Sequence, residues 1–181
     1  MRLYRQTVED FGLYTGKELE EGELSSLRIA AGEMSAKMRA VRIVSASSVS
    51  KSDLEHRLIQ KGENPEQAAQ AVEWMAQLNL VDDRQTAEQV VSRCAAKGYG
   101  IARAKQALYE KRIPREYWQE ALEDYPDQTE KIMDFLRSRV DDLADKRSVK
   151  RAVDALMRRG HSYGDVRRAL QQLGQEDFLE D

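Results

Sequence analysis

From Glu33 onward, apolar side chains return every three or four residues, the spacing that puts them on one face of a helix. Met34, Met38, Val41 and Val44 form a first such stripe, which the serine-rich stretch 45–50 closes. Ser50, followed three residues later by Asp53, reads as a capping box opening a second helix that carries Leu54, Leu58 and Ile59 to Lys61 and Gly62. Asn64 as N-cap and Pro65 at the first helical position open a third, through Ala68, Ala71, Val72 and Met75. The thirty residues before Glu33 differ. Gly12, Gly16 and Gly22 interrupt them, so no long helix is expected there, and Tyr4 to Tyr14 has room for one short strand or hairpin in a pattern too broken to choose.

The helix–helix–helix pattern then returns twice. Leu58-Ile-Gln-Lys61-Gly62 aligns with Leu108-Tyr-Glu-Lys111-Arg112 and with Leu156-Met-Arg-Arg159-Gly160. In the same register stand the pairs Ala71-Val72, Ala121-Leu122 and Ala169-Leu170, and one turn earlier Ala68, Trp118 and Val166. Asp82 and Asp83 cap the first helix of the second unit (Ala87, Val90, Val91, Cys94). Tyr125-Pro126-Asp127 breaks the chain before the third (Ile132, Phe135, Leu136, Val140). The expected fold is all-α, with tandem three-helix repeats forming an elongated, curved array: a variable segment 1–32, then repeats at 33–82, 83–127 and 128–181.

Composition agrees with thin helical layers, since charged residues make up 34% of the chain and aromatics 7%. The apolar runs are too short for a membrane span and no signal pattern comes after Met1, so the expected compartment is the cytoplasm, with no membrane partner. Cys94 is the single cysteine, which excludes an intramolecular disulfide and a cysteine-based zinc site. His56 and His161 lack metal-ligand spacing, so no metal or cofactor is expected; His161 reads as a loop or cap residue. Gly98-Tyr99-Gly100 comes after a helix and lacks the rest of a phosphate loop, so it reads as a turn. Trp74 and Trp118 fall at helical spacing and read as core, and Cys94 as buried and inert. No nucleophile–base constellation is legible, and an enzyme is not expected.

The net charge of -3 hides blocks of opposite sign. Basic residues gather in the second unit (Lys97, Arg103, Lys105, Lys111, Arg112, Arg115) and between 146 and 168 (Lys146, Arg147, Lys150, Arg151, Arg158, Arg159, Arg167, Arg168). The segment from Glu120 to Asp145 and the tail Glu176, Asp177, Glu180, Asp181 are acidic. A solvated helix face is the plain reading of one such block. Recurrence of the basic sets in two repeats raises the case for binding an acidic macromolecule.

The chain resembles the RecX family of recombination regulators between about Glu33 and Phe178. The resemblance is carried by Leu80-Val-Asp-Asp83, Ala87, Arg93, Gly98-Tyr-Gly100, Arg103, Leu108 and Lys111, and by Leu156-Met-Arg-Arg-Gly160-His-Ser-Tyr163. It implies arrays of three-helix repeats that bind the RecA recombinase, lie along its groove on single-stranded DNA and restrain its ATPase and strand exchange. With that partner, the basic faces are expected to meet the recombinase filament or DNA phosphates through Arg103, Lys105, Lys111, Arg112, Lys150, Arg151, Arg158, Arg159, Arg167 and Arg168, direct contact with single- or double-stranded DNA being left open; a monomer is the simpler expectation. Two departures stand out. Ser47, Ser48 and Val49 occupy positions usually basic in the family, so the first unit is expected to add less to a basic surface; and His161 stands where an aromatic is usual. The alternatives are a helical DNA-binding protein acting without the recombinase, through helix-turn-helix pairs, and a scaffold for another partner.

Overall fold

Several helix starts in this chain are set by side-chain oxygens that accept from backbone amides otherwise left without partners. Ser50 accepts from the amide of Asp53 (3.0 Å), Asn64 from Glu66 (2.9 Å), Asp82 from Gln85 (3.1 Å) and Asp145 from Arg147 (3.0 Å). The computed structural model describes residues 3–180, with side chains described to residue 174; Asp181 and the side chains of Glu176, Asp177 and Glu180 in the acidic tail lie outside the described residues. The helices are α1 Arg5–Asp10, α2 Glu21–Ala46, α3 Lys51–Gln60, α4 Pro65–Gln77, α5 Asp83–Ala96, α6 Ile101–Glu110, α7 Trp118–Glu123, α8 Thr129–Arg137, α9 Lys146–Arg158 and α10 Tyr163–Glu180. The described residues hold no strand, and they form two compact units, 1–86 and 87–181.

The N-terminal expectation is corrected. Tyr4 to Tyr14 holds the short helix α1 rather than a strand, and α2 starts at Glu21, well before Glu33. A full capping box opens α2, with Glu20 and Glu23 satisfying each other's backbone amides, and buried Leu27 and Ala31 extend its apolar stripe toward the N-terminus. Gly22 and Gly32 lie inside it at an entropic cost of about 1 kcal/mol each. At Gly32 a β-carbon would meet only the amide end of the Gln67 side chain on α4, which can swing aside. The third helix of the second repeat is also shorter than the pattern suggests. A 3-10 turn, Arg115–Tyr117, precedes the six-residue α7, which ends ahead of Pro126.

The three aligned leucines are each at most 1% exposed and anchor separate apolar clusters. Leu58 packs with Ala40, Leu54, Ala71 and Met75; Leu108 with Ala87, Val91, Cys94 and Leu122; Leu156 with Ile132, Leu136, Val166 and Ala169. Ile59, placed on the stripe by periodicity, is instead exposed. Trp74 and Trp118 are partly buried against their clusters, as the spacing indicates.

Each middle helix ends in the same turn. Gly62, Arg112 and Gly160 have φ of 88°, 53° and 86°. Their amides donate to the carbonyls of Ile59, Tyr109 and Met157, all at 2.9 Å. The next amide donates back to the aligned leucine: Glu63 to Leu58, Ile113 to Leu108 and His161 to Leu156. This paired bonding satisfies the last carbonyls of the helix and reverses the chain direction over two residues. Asn79 and Gly98 close α4 and α5 in the same way.

Within the second unit, two of the chain's turns meet. The amide of Gly100 donates to the carbonyl of Arg159 (3.0 Å) and that of Ala102 to the carbonyl of Gly160 (3.2 Å). A β-carbon on Gly100 would overlap the Gly160 carbonyl, and one on Gly160 would overlap the backbone of Arg103. The backbones therefore pack at a distance only glycine permits. His161, buried beside them, donates from Nε2 to the carbonyl of Gly98 (3.0 Å), which requires the Nε2–H tautomer when the ring is neutral. Burial pushes its pKa below the ordinary value and the nearby Arg159 charge adds to this, against the opposing pull of the Gly98 carbonyl.

Two stability predictions come from these turns. Gly62→Ala should cost about 1–2 kcal/mol, the penalty for a left-handed alanine, whereas Gly160→Ala should cost clearly more because its β-carbon also meets Arg103. Urea midpoints check both, and equal losses at positions 62 and 160 would contradict the close packing. Because the folded state disfavours protonated His161, the unfolded chain takes up the proton first as pH falls below about 6.5. Stability should therefore drop as pH falls through about 6.5 and below, and by less in His161→Gln; equal drops in the two proteins would dismiss the histidine as the cause.

Candidate partner-binding surface

The ten basic residues singled out by sequence divide into those that hold the second unit together and those that face outward. Arg159 belongs to the first group. Its Nη2 donates to the carbonyl of Lys97 (3.2 Å), and its guanidinium lies over the rings of Tyr99 (5.4 Å) and Phe135 (5.2 Å). Its Nε is buried without a hydrogen-bond partner. Wedged between an α5–α6 turn residue and a ring of α8, this side chain fastens the third repeat to the second. Lys131 does the same from α8, donating from Nζ to the carbonyls of Ala95 (2.6 Å) and Ala96 (3.3 Å) at the end of α5. Cations at these carbonyls also complement the negative end of the α5 dipole.

Arg103 is half-buried at the same seam, its backbone against Gly160. It donates from Nη1 to Glu110 Oε1 (2.9 Å) along α6, and this bond raises the arginine pKa and lowers that of Glu110. Tyr125 reaches in from beyond α7 to donate to the carbonyl of Tyr99 (2.7 Å), and burial pushes its hydroxyl up to about 12. The Gly98-Tyr99-Gly100 turn is thus a structural hub, as its place after a helix indicated.

The outward-facing group lies on three helices. Lys105 is exposed on α6, with Lys111 and Arg112 at that helix's end. Lys150, Arg151 and Arg158 are exposed along α9, joined by Lys146 and Arg147, with Asp154 the one acidic residue in that helix. Arg151 donates from Nε to the carbonyl of Arg147 (3.3 Å). Arg167 and Arg168 are exposed on α10, and Arg168 sits 3.5 Å from Asp165. Exposed pairs of that kind contribute little, and both partners remain open to exchange for an external charge.

The first unit carries its own cations, at positions that its serine-rich 45–50 stretch did not suggest. Arg39 and Arg42 from α2 and Arg57 and Lys61 from α3 line a cleft of about 520 Å³. Arg39 is held by the buried Glu63 (2.8 Å) and the carbonyl of Lys61 (2.7 Å), and Arg57 by Asp53 (2.8 Å). Periodicity could not reveal this cleft, because its cations come from two helices and join only when those helices pack.

Cys94 is buried and its thiol pKa is raised by that burial, which matches an inert core thiol. Among the described residues no group of His, Cys, Asp and Glu is placed to hold a metal ion, and no helix is long and apolar enough to cross a membrane.

Residues 82–122, spanning α5 to α7, match the second three-helix domain of RecX. A comparison with curated protein sequences finds no match. Among solved structures, one described as the regulatory protein RecX aligns with a TM-score of 0.67 at 20% identity, covering 90% of this chain and 83% of its own. RecX from Lactobacillus salivarius aligns with a TM-score of 0.70 at 19% identity, covering 81% of this chain and 99% of its own. At such identities the alignments speak for the fold alone. Residues 82–122 are thus similar to one domain of the RecX family, inside a fold that the whole chain shares with RecX structures.

Proposed function

We propose that this protein is a non-catalytic regulator that binds the RecA recombinase filament on single-stranded DNA and restrains its ATPase and strand exchange. It would act as a monomer in the cytoplasm, its tandem three-helix repeats (33–82, 83–127 and 128–181) serving as the binding scaffold. The observation that supports this most is the exposed cation set on α6, α9 and α10, in a fold shared with RecX structures. Lys105, Lys150, Arg151, Arg158 and Arg167 are presented to solvent on rigid helices, so an acidic partner can be engaged without rearranging the core. Lys111, Arg112 and Arg168 extend the set at helix ends and along α10. Arg103 and Arg159 support it from behind, since their packing sets the spacing of the second and third repeats.

Many modest charged contacts with a strand of phosphates, or with recombinase carboxylates, make binding steeply dependent on salt. The protein should suppress the single-stranded-DNA-dependent ATPase of its cognate recombinase, and the effect should weaken sharply between about 50 and 200 mM salt. Reversing Lys105, Lys150, Arg158 and Arg167 together to Glu should abolish suppression with far-UV circular dichroism unchanged. Normal suppression by this quadruple variant would remove the surface assignment. No suppression and no filament binding by the wild type would instead favour a DNA-binding protein acting without the recombinase.

A further inference from the structure

We propose that the cleft between α2 and α3 binds a compact polyphosphate anion, a di- or triphosphate group, through Arg39, Arg42, Arg57 and Lys61. The inference goes beyond the filament reading and needs neither recombinase nor nucleic acid. The cleft belongs to the first unit and shares no residue with the cation set of α6, α9 and α10. Its volume of about 520 Å³ is within the range of pockets that accept small ligands. Ile43 and Ala46 add apolar surface to the four cations, and among the described residues no carboxylate lines it.

Two of the cations are half-buried and fixed in place by carboxylates that do not themselves line the cleft. Arg39 Nε lies 2.8 Å from Glu63 Oε1, which also accepts from the hydroxyl of Ser35 (3.0 Å), while Arg39 Nη1 donates to the carbonyl of Lys61 (2.7 Å). Arg57 Nη2 lies 2.8 Å from Asp53 Oδ2. Glu63 and Asp53 are both buried, so these pairs are shielded from water and hold their arginines firmly. A guanidinium carries more N–H donors than these bonds use, and each arginine keeps donors for a ligand. Planar donors set in advance suit phosphate oxygens, because little further ordering is required on binding.

The other two cations, Arg42 and Lys61, are exposed, and among the described residues neither has an ion pair. Helix dipoles account for part of the cluster, since Arg57 and Lys61 stand at the C-terminal end of α3. They do not account for Arg42, which lies outside the last turn of α2. Nor is Arg57 part of the shared repeat: in the aligned middle helices its position is taken by Ala107 and Ala155. The first repeat therefore adds a cation where its sisters have none, and adds it to a cleft that already holds three. Cations gathered this closely repel one another, and a bound anion relieves that repulsion. A di- or triphosphate concentrates several negative charges in one small group, whereas a carboxylate carries one and a nucleic-acid strand spreads its charges along a line. A cluster drawn from two helices matches the first of these.

The test is isothermal titration calorimetry of the full-length chain with sodium tripolyphosphate, which should show one saturable site. Arg42→Gln and Lys61→Gln together should weaken binding about tenfold or more, since each removes a charge-assisted hydrogen bond. Both side chains are exposed, so the urea midpoint of this double variant should match that of the wild type. Lys150→Gln with Arg158→Gln removes the same charge from α9 and should leave the affinity unchanged. Equal losses in the two double variants would reduce the binding to diffuse attraction and overturn the site, as would the absence of saturable binding to the wild type. Adenosine triphosphate distinguishes the sources of the group: affinity equal to that of tripolyphosphate assigns the phosphates alone, and tighter binding assigns a nucleotide. An oligo-thymidine that displaces tripolyphosphate and loses its own affinity in the Arg42, Lys61 variant would make the cleft part of a strand-binding surface and overturn the small-anion assignment.

Discussion

Each middle helix must satisfy its last carbonyls within two residues and send the chain back across the core, and the left-handed turn does both. The two bonds that close it tie the residue after the turn to the leucine at the centre of each apolar cluster, so turn and core are formed together. Where two turns meet, at Gly100 and Gly160, the absence of a β-carbon lets backbone amides of one repeat reach carbonyls of the next. Backbone-to-backbone bonding between repeats sets their spacing more tightly than side-chain packing alone, because there are no rotamers to adjust. The second unit inherits its geometry from this contact.

Charge in this unit then separates by role. Arg159 and Lys131 direct their donors at helix-end carbonyls and lie against rings or buried backbone, and Arg103 is committed to Glu110. Removing any of them would alter the scaffold before it altered a partner's affinity. Lys105, Lys150, Arg158 and Arg167, exposed on α6, α9 and α10, carry no such duty, and their long side chains can be ordered by an external anion. A surface built this way can be tuned charge by charge without unfolding the protein.

Arg112 is where the shared turn departs from glycine. The turn geometry favours glycine, and the chain accepts the less favourable residue beside an exposed tyrosine. Local misfits of this sort persist when surrounding structure holds them, and here the two bonds of the turn and the burial of Ile113 do so.

By itself the sequence determined the helical class, the starts of the helices after Ser50, Asn64 and Asp82, and the alignment of the turns after Leu58, Leu108 and Leu156. These depend on side chains near one another along the chain: caps act over three residues, and apolar stripes over one turn. The same local reasoning failed before Glu33, because Gly22 and Gly32, which discourage a helix in isolation, are outweighed by the Glu20–Glu23 capping box and the burial of Leu27 and Ala31. It could not separate Arg159 from Arg158, adjacent residues of which one is wedged against Tyr99 and Phe135 and the other faces water. Nor could it gather Arg39, Arg42, Arg57 and Lys61 into one cleft, or show Tyr109 exposed beside Trp118. Those distinctions belong to tertiary structure, since whether a charge or ring is engaged inside the protein or left for a partner depends on neighbours that only packing brings near.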